Sequence, residues 1–435
     1  MAGLKDALKH SPILLYIAEA VNSAAGTLLT VGTLFYMTHR FGWTVRENFA
    51  VALCQGALYV IGALAAERLA GRWKRIAVLR MLYAVMPLFA LTAGTCAAMG
   101  LAVQTAVFVA IITGMLGASW PLLESLVSLA GNPSRLSRRL GWYNIVWAVA
   151  GAVALASSGA IIQHFPPWVF FGIIAVLQIT AATAITARRF LRAGNVRVDD
   201  TEAKTGETEP GCEEASDGRL RLALWLSRIA LPSTYVVIFS LAPILPTLHA
   251  IEQLSPTLAT IQCSVWFAAR AVAFIILGNT SFWQRQPILI LFAGIFMLAG
   301  FLGTILSGAS TASDTGVGVG TALLLMATAQ IFLGLSLGMI YASSLYFGMA
   351  ISKGSTEHGG YHEALIGLGQ ILGPVVGMTA QLIRPNSLWP VAAGISAIVT
   401  ATIIMEAIMG MRIAGNFRAM FDGDIKGSTG HSRMV

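Results

Sequence analysis

Charged residues are scarce in this sequence: they make up 11% of its 435 residues, whereas 56% are hydrophobic. A soluble domain carries roughly 25% charged residues, so this chain has too few to cover a water-soluble globule of its size. The deficit extends along the whole chain, which indicates many lipid-facing segments rather than a single anchor. The net charge of +8 does not indicate a nucleic-acid-binding protein, because the basic residues lie between apolar runs and form no continuous stripe.

Cysteines and nucleotide-binding motifs are also sparse. The four cysteines are far apart and form no CxxC pair, which disfavours a disulfide framework or a cysteine metal site; they are Cys54, Cys96, Cys212 and Cys263. No GxxxxGK[ST] run is present, so the sequence disfavours ATP-driven pumping within this chain. We therefore expect no cofactor.

Long apolar runs dominate what is present. A helix needs about 20 apolar residues to cross the hydrocarbon core, and runs of this length are too long for barrel strands. The N-terminal run lacks a small-residue cleavage site after a short apolar core, so we interpret it as the first span and not as a removable signal peptide. We predict an all-α polytopic membrane protein with twelve transmembrane helices, near 12–37, 48–69, 75–98, 103–129, 141–163, 167–189, 222–247, 257–280, 287–308, 318–347, 361–383 and 387–411.

One extended polar stretch, 190–221, divides these runs into two sets of six. It contains eight acidic residues among Gly, Thr and Ser and shows no apolar periodicity, which is typical of a disordered linker. We predict an N-terminal six-helix bundle, a cytoplasmic disordered linker, a C-terminal six-helix bundle and a cytoplasmic tail, at 1–190, 191–220, 221–413 and 414–435.

The basic residues predict the orientation. If the N-terminus is cytoplasmic, all but five of the 28 Lys and Arg residues fall on the cytoplasmic side of a twelve-span chain. The exceptions are Arg40, Arg46 and Arg384 outside, and Arg228 and Arg270 within spans. Because cytoplasmic loops carry an excess of Lys and Arg, we expect a multi-pass protein of the cytoplasmic (inner) membrane with both termini in the cytoplasm.

Weak sequence similarities (echoes of one half in the other) relate the two halves of the chain. Span 4 carries Gly117 and Trp120, and span 10 carries Gly338 and Tyr341 at the same three-residue step. Span 5 opens with GWYN (141–144), and span 11 opens with GYHE (360–363). Together these echoes favour two homologous bundles that face each other, as in transporters built from repeats.

The segment GALAAERLAGRWKR (62–75), between spans 2 and 3, resembles a signature of the major facilitator superfamily. The match is degenerate, because the acid is Glu and not Asp and the spacing is one residue off. The resemblance implies a gating loop in which an acidic residue meets a helix N-terminus of the other bundle, an attraction that helix dipoles favour. The alternative is that the basic residues anchor the loop to anionic lipid. The candidate gating residues are Glu67, Arg68, Gly71, Arg72 and Lys74.

A second pattern resembles a signature of that family's exchangers. G-x-x-x-G-P-x-x-G occurs at Gly369, Gly373, Pro374 and Gly377, but in span 11, whereas the family has it in helix 5. Small residues let helices approach closely and proline supplies a kink point. We interpret the pattern as packing and hinge chemistry and not as proof of antiport.

Ionisable residues within spans cost roughly 2.5–3.5 kcal/mol each at mid-helix and indicate function. The resemblance implies that helices 1, 4, 7 and 10 line a central cavity. The cavity candidates are Glu19, Asn22, Trp120, Glu124, Tyr235, Gln330 and Tyr341, together with Arg270 of span 8. Three ionisable residues near the cytoplasmic ends of spans, Arg228, Glu406 and Glu124 itself, have snorkelling or structural pairing as an alternative.

Two of these candidates carry specific hypotheses. Glu19 is the best candidate for a proton carrier, with hydrogen bonding in helix packing as the alternative. Arg270 requires an anion or a cage of carbonyl groups at mid-depth. It either pairs with a carboxylate such as Glu19 or binds an anionic substrate.

A cluster of acids and histidines, Glu357, His358, His362 and Glu363, precedes and opens span 11. We disfavour a metal site there, because Gly359 and Gly360 indicate a loop turn that leads into the helix.

The sequence thus predicts a secondary transporter, not an enzyme. The resemblance implies a monomer that works by alternating access on a small-molecule substrate, coupled to a proton. The alternatives are a drug or metabolite efflux antiporter of the same fold, a membrane enzyme or lipid-handling protein, and a non-transporting sensor or scaffold. No catalytic constellation other than the disfavoured 357–363 cluster supports an enzyme.

Overall fold

The computed structural model describes residues 13–130, 136–193, 213–309, 318–351, 356–385 and 387–428. These residues form twelve long helices and, within the described ranges, no strand. We number the helices α1 to α12. They span Ile13–Phe41, Val45–Arg72, Arg75–Ala98, Ala102–Ser128, Leu136–His164, Pro167–Ala193, Glu213–Ile244, Pro256–Asn279, Ile288–Ala309, Val319–Ile351, Thr356–Ile383 and Trp389–Ser428.

The prediction of twelve spans is confirmed. All twelve helices contain segments long and apolar enough to cross a membrane, and the ends of these segments differ from the predicted ends by at most four residues. Predicted and observed ends agree because the hydrocarbon core offers no hydrogen-bond partners. A segment in lipid must satisfy its own backbone polar groups and therefore stays helical throughout its apolar length.

Two predictions about the polar stretches need correction. The predicted linker 191–220 is helical at both ends, because α6 continues to Ala193 and α7 begins at Glu213. The turn predicted at Gly359 and Gly360 is helical as well, because α11 begins at Thr356. Backbone hydrogen bonding propagates a helix beyond the lipid, and packing of the whole helix offsets the roughly 1 kcal/mol cost of an interior glycine. Residues 194–212 lie outside the described residues.

The outer surface of the helix assembly is apolar. Large hydrophobic side chains such as Ile61, Leu88, Val153, Leu324 and Ile383 are more than half exposed. An apolar surface of this extent is rare on soluble monomers. It is the surface expected of a protein whose outer face contacts lipid.

Helices α1–α6 and α7–α12 form two halves that meet along two pairs of helices. Helix α2 of the N-terminal half packs against α11, and α5 packs against α8. Each pair joins a helix of one half to a helix of the other, so a cavity lies between the halves and between these two contacts. This arrangement positions the candidate site.

Glycines allow α5 and α8 to approach along most of their length. A methyl group added at Gly141, near the start of α5, would lie 3.2 Å from the Cα atom of Gly278. Near the other end of α5, a methyl group at Gly159 would clash with the carbonyl of Pro256, and the Gly159 N–H donates to Thr260 Oγ1 at 3.0 Å. The halves are therefore in contact at both ends of the cavity.

Two of the helices that border the cavity are irregular. Helix α1 has a π-helical segment at Leu28–Gly32, where Thr33 Oγ1 donates to the Leu28 carbonyl at 3.1 Å. Helix α8 is interrupted at Ser264, two residues before Trp266. Such irregularities are frequent at functional sites because they redirect side chains.

We expect Gly62→Ala to destabilise the N-terminal half. A methyl group at Gly62 of α2 would clash with the carbonyl of Gly114 in α4, and neither backbone can move freely. Overpacking of this kind costs about 1–3 kcal/mol, which thermal unfolding of the purified protein would detect as a lower melting temperature.

The matched control for that change is Gly172→Ala, at an interior position of α6 where the added methyl group would have no neighbour within 4 Å. Its melting temperature should equal or exceed that of the wild type. Equal melting temperatures for the two variants would contradict the packing argument.

Candidate functional site

A cavity of about 100 Å³ lies between the two halves. Its charged side chains, Glu19, Arg270 and Glu363, are buried. The lining is mostly aromatic and polar; it includes Glu19, Gly26, Tyr59, Trp120, Tyr143, Trp147, Tyr235, Phe239, Trp266, Phe267, Arg270, Tyr341, Glu363 and Gln370.

A larger groove of about 1140 Å³ lies at the loops that join α1 to α2 and α11 to α12. Its charged residues, including His249, Glu252 and Arg384, are exposed. Solvated charges are ordinary at a protein surface, whereas buried charges are costly and are retained for a reason. We therefore take the central cavity as the candidate site.

Glu19 enters the cavity from α1. Its Oε1 atom accepts hydrogen bonds from Ser23 Oγ at 2.6 Å and from Trp120 Nε1 at 3.3 Å. The first bond joins neighbouring turns of α1, and the second joins α1 to α4. Oε2 is buried without a hydrogen-bond partner. This second oxygen is free to carry a proton or to receive a ligand group.

Two further carboxyl groups, those of Glu363 and Glu124, form hydrogen bonds that join the two halves. Glu363 of α11 accepts a hydrogen bond from the Tyr59 hydroxyl of α2. Glu124 of α4 accepts one from the Tyr341 hydroxyl of α10 at 3.3 Å. Both bonds cross from one half to the other. The sequence singled out Glu124 and Tyr341 but not Tyr59, and it placed Glu363 in the cluster that opens span 11 and not in the cavity wall.

His362 lies beside these carboxyl groups. Its Nδ1 atom is 3.0 Å from Ser344 Oγ, and its ring contacts that of Tyr341 edge-on at 4.9 Å. Three potential metal-ligand atoms lie within 4.8 Å of one another: a ring nitrogen of His362 and one carboxylate oxygen each of Glu124 and Glu363. The structure thus adds an acid from the other half to His362 and Glu363, whereas the side chains of Glu357 and His358 lie outside the described residues.

Arg270 lies across the cavity on α8. Its guanidinium carbon is 4.3 Å from the ring centre of Trp147, 4.7 Å from Phe267 and 5.0 Å from Trp266. Aromatic faces attract cations, and a desolvated contact is worth about 2 kcal/mol. No ion pair with Glu19 or with another acid forms in the part of the chain that the structure describes.

The other cavity candidates divide into two groups. Trp120, Tyr235 and Tyr341 line the cavity. Asn22 does not: its hydrogen-bond partners are Ser119 of α4 and Gln178 of α6, inside the N-terminal half. Gln330 is buried but lies elsewhere, since it precedes Tyr341 by eleven residues, roughly 16 Å along the helix axis.

The structure places the three ionisable residues for which snorkelling or structural pairing was the alternative. Glu124 is fully buried at the centre and does not snorkel. Glu406 of α12 is also buried, away from the cavity, and neither of its oxygens has a hydrogen-bond partner. Arg228 of α7 is half-buried and does not line the cavity.

The gating candidates lie at the junction of α2 and α3. Glu67, Arg68, Gly71, Arg72 and Lys74 are exposed, and Lys74 precedes the first residue of α3. In the described residues no hydrogen bond joins Glu67 to the C-terminal half. The gate and the lipid-anchor hypotheses both stay predictions.

The glycine and proline pattern of α11 lies on two contact surfaces. Methyl groups at Gly369 and Gly373 would meet the backbone of α7, at the carbonyls of Pro232 and Val236 respectively. A methyl group at Gly377 would clash with the ring of Phe49 in α2. Pro374 lies inside the helix between them. The pattern therefore adjoins both halves.

A membrane protein of twelve helices, in two halves that enclose a polar cavity, has the architecture of a solute transporter. The sequence matches the family model of the Major Facilitator Superfamily over residues 15–374. The chain therefore belongs to the Major Facilitator Superfamily; it is a multi-pass membrane transport protein and not an enzyme.

Comparison with solved structures shows the same fold. The chain is similar to the crystal structure of a mutant of the nucleoside transporter NupG, with a TM-score of 0.61 and 16% sequence identity. The match covers 91% of this chain and 99% of that chain. No curated protein matches the sequence.

We expect Tyr59→Phe to open the cavity more often. The change removes the hydrogen bond from Tyr59 to the Glu363 carboxyl group, and this bond can form only while the two halves are in contact. Such bonds contribute about 1.5–3 kcal/mol, so the open population should rise about tenfold or more. The measurement is the rate at which an aqueous thiol reagent labels an Ile366→Cys reporter in a variant whose four native cysteines are replaced by serine.

Tyr36→Phe is the control, because the Tyr36 hydroxyl is buried within the N-terminal half and has no hydrogen-bond partner. It should leave the labelling rate unchanged. A Tyr59→Phe rate equal to that of the control would show that the bond does not hold the halves together.

Proposed function

We propose that this protein is a proton-coupled secondary transporter that moves a small solute by alternating access through the central cavity. One observation carries the proposal. Carboxyl groups from opposite halves, Glu124 and Glu363, share a buried cluster in which their bonds come from tyrosines of the opposite half, Tyr341 and Tyr59. Contact between the halves and the protonation of this cluster are therefore linked.

The linkage follows from charge. Two carboxylates in one buried site repel each other, and a proton shared between them relieves the repulsion. In the described residues no Lys or Arg forms an ion pair with either acid. When the halves separate, water reaches the cluster, solvates the charges and provides a route for the proton to leave.

Glu19 adds a third buried acid beside this cluster. It belongs to α1 of the N-terminal half and has one oxygen without a partner. Its hydrogen bond to Trp120 ties the carboxyl group to a ring that also lines the cavity. A solute that displaces this ring changes the surroundings of the acid, which is a direct means of coupling solute to proton.

The remaining features of the proposal come from the sequence and the cavity. We propose that both termini are cytoplasmic, as the distribution of Lys and Arg indicates. We also propose that one chain is the transporting unit, because its two halves supply both walls of the cavity. The nucleoside in the name of the similar structure does not define the solute here, since 16% identity supports the fold alone.

Glu19→Gln and Glu363→Gln should each abolish solute uptake driven by a pH gradient while solute exchange without a gradient persists. The amides keep the size of the side chains but cannot release a proton. A thermal-shift screen of metabolites and drugs on the purified protein would supply the solute, and flux into proteoliposomes would measure uptake.

Glu406→Gln is the matched control, because Glu406 is an equally buried intramembrane acid outside the cavity. It should keep gradient-driven uptake. Uptake that still follows the gradient in both cavity variants would contradict proton coupling. A protein that binds and moves no solute in the screen would instead support the sensor or scaffold alternative, and proton movement opposite to the solute would support the efflux antiporter.

The orientation has its own test. In a variant without the native cysteines, a membrane-impermeant maleimide applied to intact cells should label Met99→Cys but not Gly71→Cys. Both positions are exposed, at the α3–α4 and α2–α3 junctions respectively. Permeabilised cells provide the control in which both are labelled. The reverse pattern in intact cells would place the termini outside.

A further inference from the structure

The guanidinium of Arg270 is a positive charge held at the centre of the protein. Trp266 and Phe267 come from its own helix, whereas Trp147 comes from α5 of the other half. These rings form an aromatic cage around the charge. The rings orient the guanidinium but offer no oxygen acceptor, whereas an arginine has five N–H donors and prefers oxygen acceptors in one plane.

The acids of the cavity do not supply these acceptors in this conformation. The Arg270 Nε atom is buried without a hydrogen-bond partner. Glu19 is bonded to Ser23 and Trp120, and Glu363 is bonded to Tyr59. Within the described ranges, Arg270 is thus a buried cation that has ring contacts but no counter-anion.

The position of Arg270 is fixed by close packing of α8 against α10. A methyl group at Gly338 would lie 2.6 Å from the Ala273 side chain and 3.5 Å from the Arg270 Cγ atom. A methyl group at Gly334 would lie 2.9 Å from the Arg270 backbone nitrogen. The arginine stem therefore lies against the α10 backbone, and the side chain cannot extend to the membrane surface without moving that helix.

The dimensions and walls of the cavity limit the anion. A cavity of 150 Å³ accommodates benzene, which has six non-hydrogen atoms, so the cavity of about 100 Å³ suits roughly four to five. Arg270 is the one basic residue among those that line it, whereas Glu19 and Glu363 are acidic. A second negative group on the ligand would face these acids, and a long chain would not fit.

We propose that the transported solute is a small organic anion with a single carboxylate, which binds Arg270 through paired hydrogen bonds while its short apolar part contacts the aromatic walls. This inference deepens the proposed function and rests on it, since it takes the central cavity as the transport site. It also explains how an anion shares a cavity with two acids: the coupling proton neutralises an acid as the carboxylate enters.

Equilibrium binding at a single pH, without a gradient, tests this inference. Radiolabelled propionate would be bound to the purified protein in detergent and measured by a scintillation proximity assay. We expect saturable binding that acetate competes away. Four compounds should not compete. Propionamide lacks a carboxylate and propylammonium carries a positive charge. Alanine adds a cationic group to the carboxylate, and uridine is larger than the cavity. Succinate should compete at least about tenfold more weakly.

Arg270→Gln should weaken propionate binding by about tenfold to a hundredfold, the range expected for loss of charged hydrogen bonds. Arg270→Lys keeps the charge but not the planar fork, so it should lose less. Arg228→Gln is the matched control, because Arg228 is an intramembrane arginine outside the cavity. Monodisperse elution of each variant verifies folding, and the competition series on the wild type tests the inference even if a variant does not fold.

The outcomes separate this inference from the proposed function. Propionate binding that is absent, or equal in Arg270→Gln and wild type, overturns the inference. So does equal competition by propionamide or alanine. Binding of propionate that depends on Arg270 but moves no protons would leave the inference intact and overturn proton coupling. Proton-coupled flux of a neutral or cationic solute would overturn the inference and leave proton coupling intact.

Discussion

Several of the polar side chains at the centre of this protein find a partner across the boundary between its halves. Tyr59 bonds Glu363, Tyr341 bonds Glu124, and Trp147 covers the Arg270 guanidinium; each pair takes one residue from each half. In a membrane interior an unsatisfied polar or charged group is costly. The conformation in which the halves touch is therefore stabilised by these pairs, and we propose that the same groups serve the solute and the proton. Separation of the halves on either side of the membrane must replace these partners with water.

Helix packing makes those contacts possible and restricts how they change. Gly369 and Gly373 bring α11 against α7 of its own half, whereas Gly377 faces α2 of the other half. One face of α11 is thus attached within its bundle and another face forms part of the boundary. Backbone-to-backbone contacts of this kind tolerate sliding and rocking of rigid helices better than contacts between long side chains, because there is little to interdigitate. Pro374 lies between the two contacts, where a helix bends most readily.

The fold could be predicted from the sequence, but the site could be predicted only in part. Length and apolarity determine a span wherever lipid is the solvent, which is why the twelve helices were found. Glu19 and Arg270 were found because a charged residue inside an apolar run stands out in the sequence, even when its neighbours in the fold are unknown. Tyr59 and Trp147 were missed because a tyrosine or tryptophan in a span is ordinary; their role depends on the angle at which the two bundles meet. Asn22 was misplaced for a similar reason, since its partners Ser119 and Gln178 lie on two other helices.

The contact between Arg270 and Trp147 also bears on how empty and loaded carriers differ. A secondary transporter couples two species only if the half-loaded protein changes conformation slowly. Without an anion, the guanidinium has only its aromatic cage, so separation of the halves must break the Trp147 contact with only water to replace it. A carboxylate on Arg270 supplies the missing acceptors and lowers that cost. It also adds a negative charge near Glu19, which favours the protonated acid. If the proposed anion and proton both bind, they stabilise the same electrically balanced cavity, and each promotes the binding of the other.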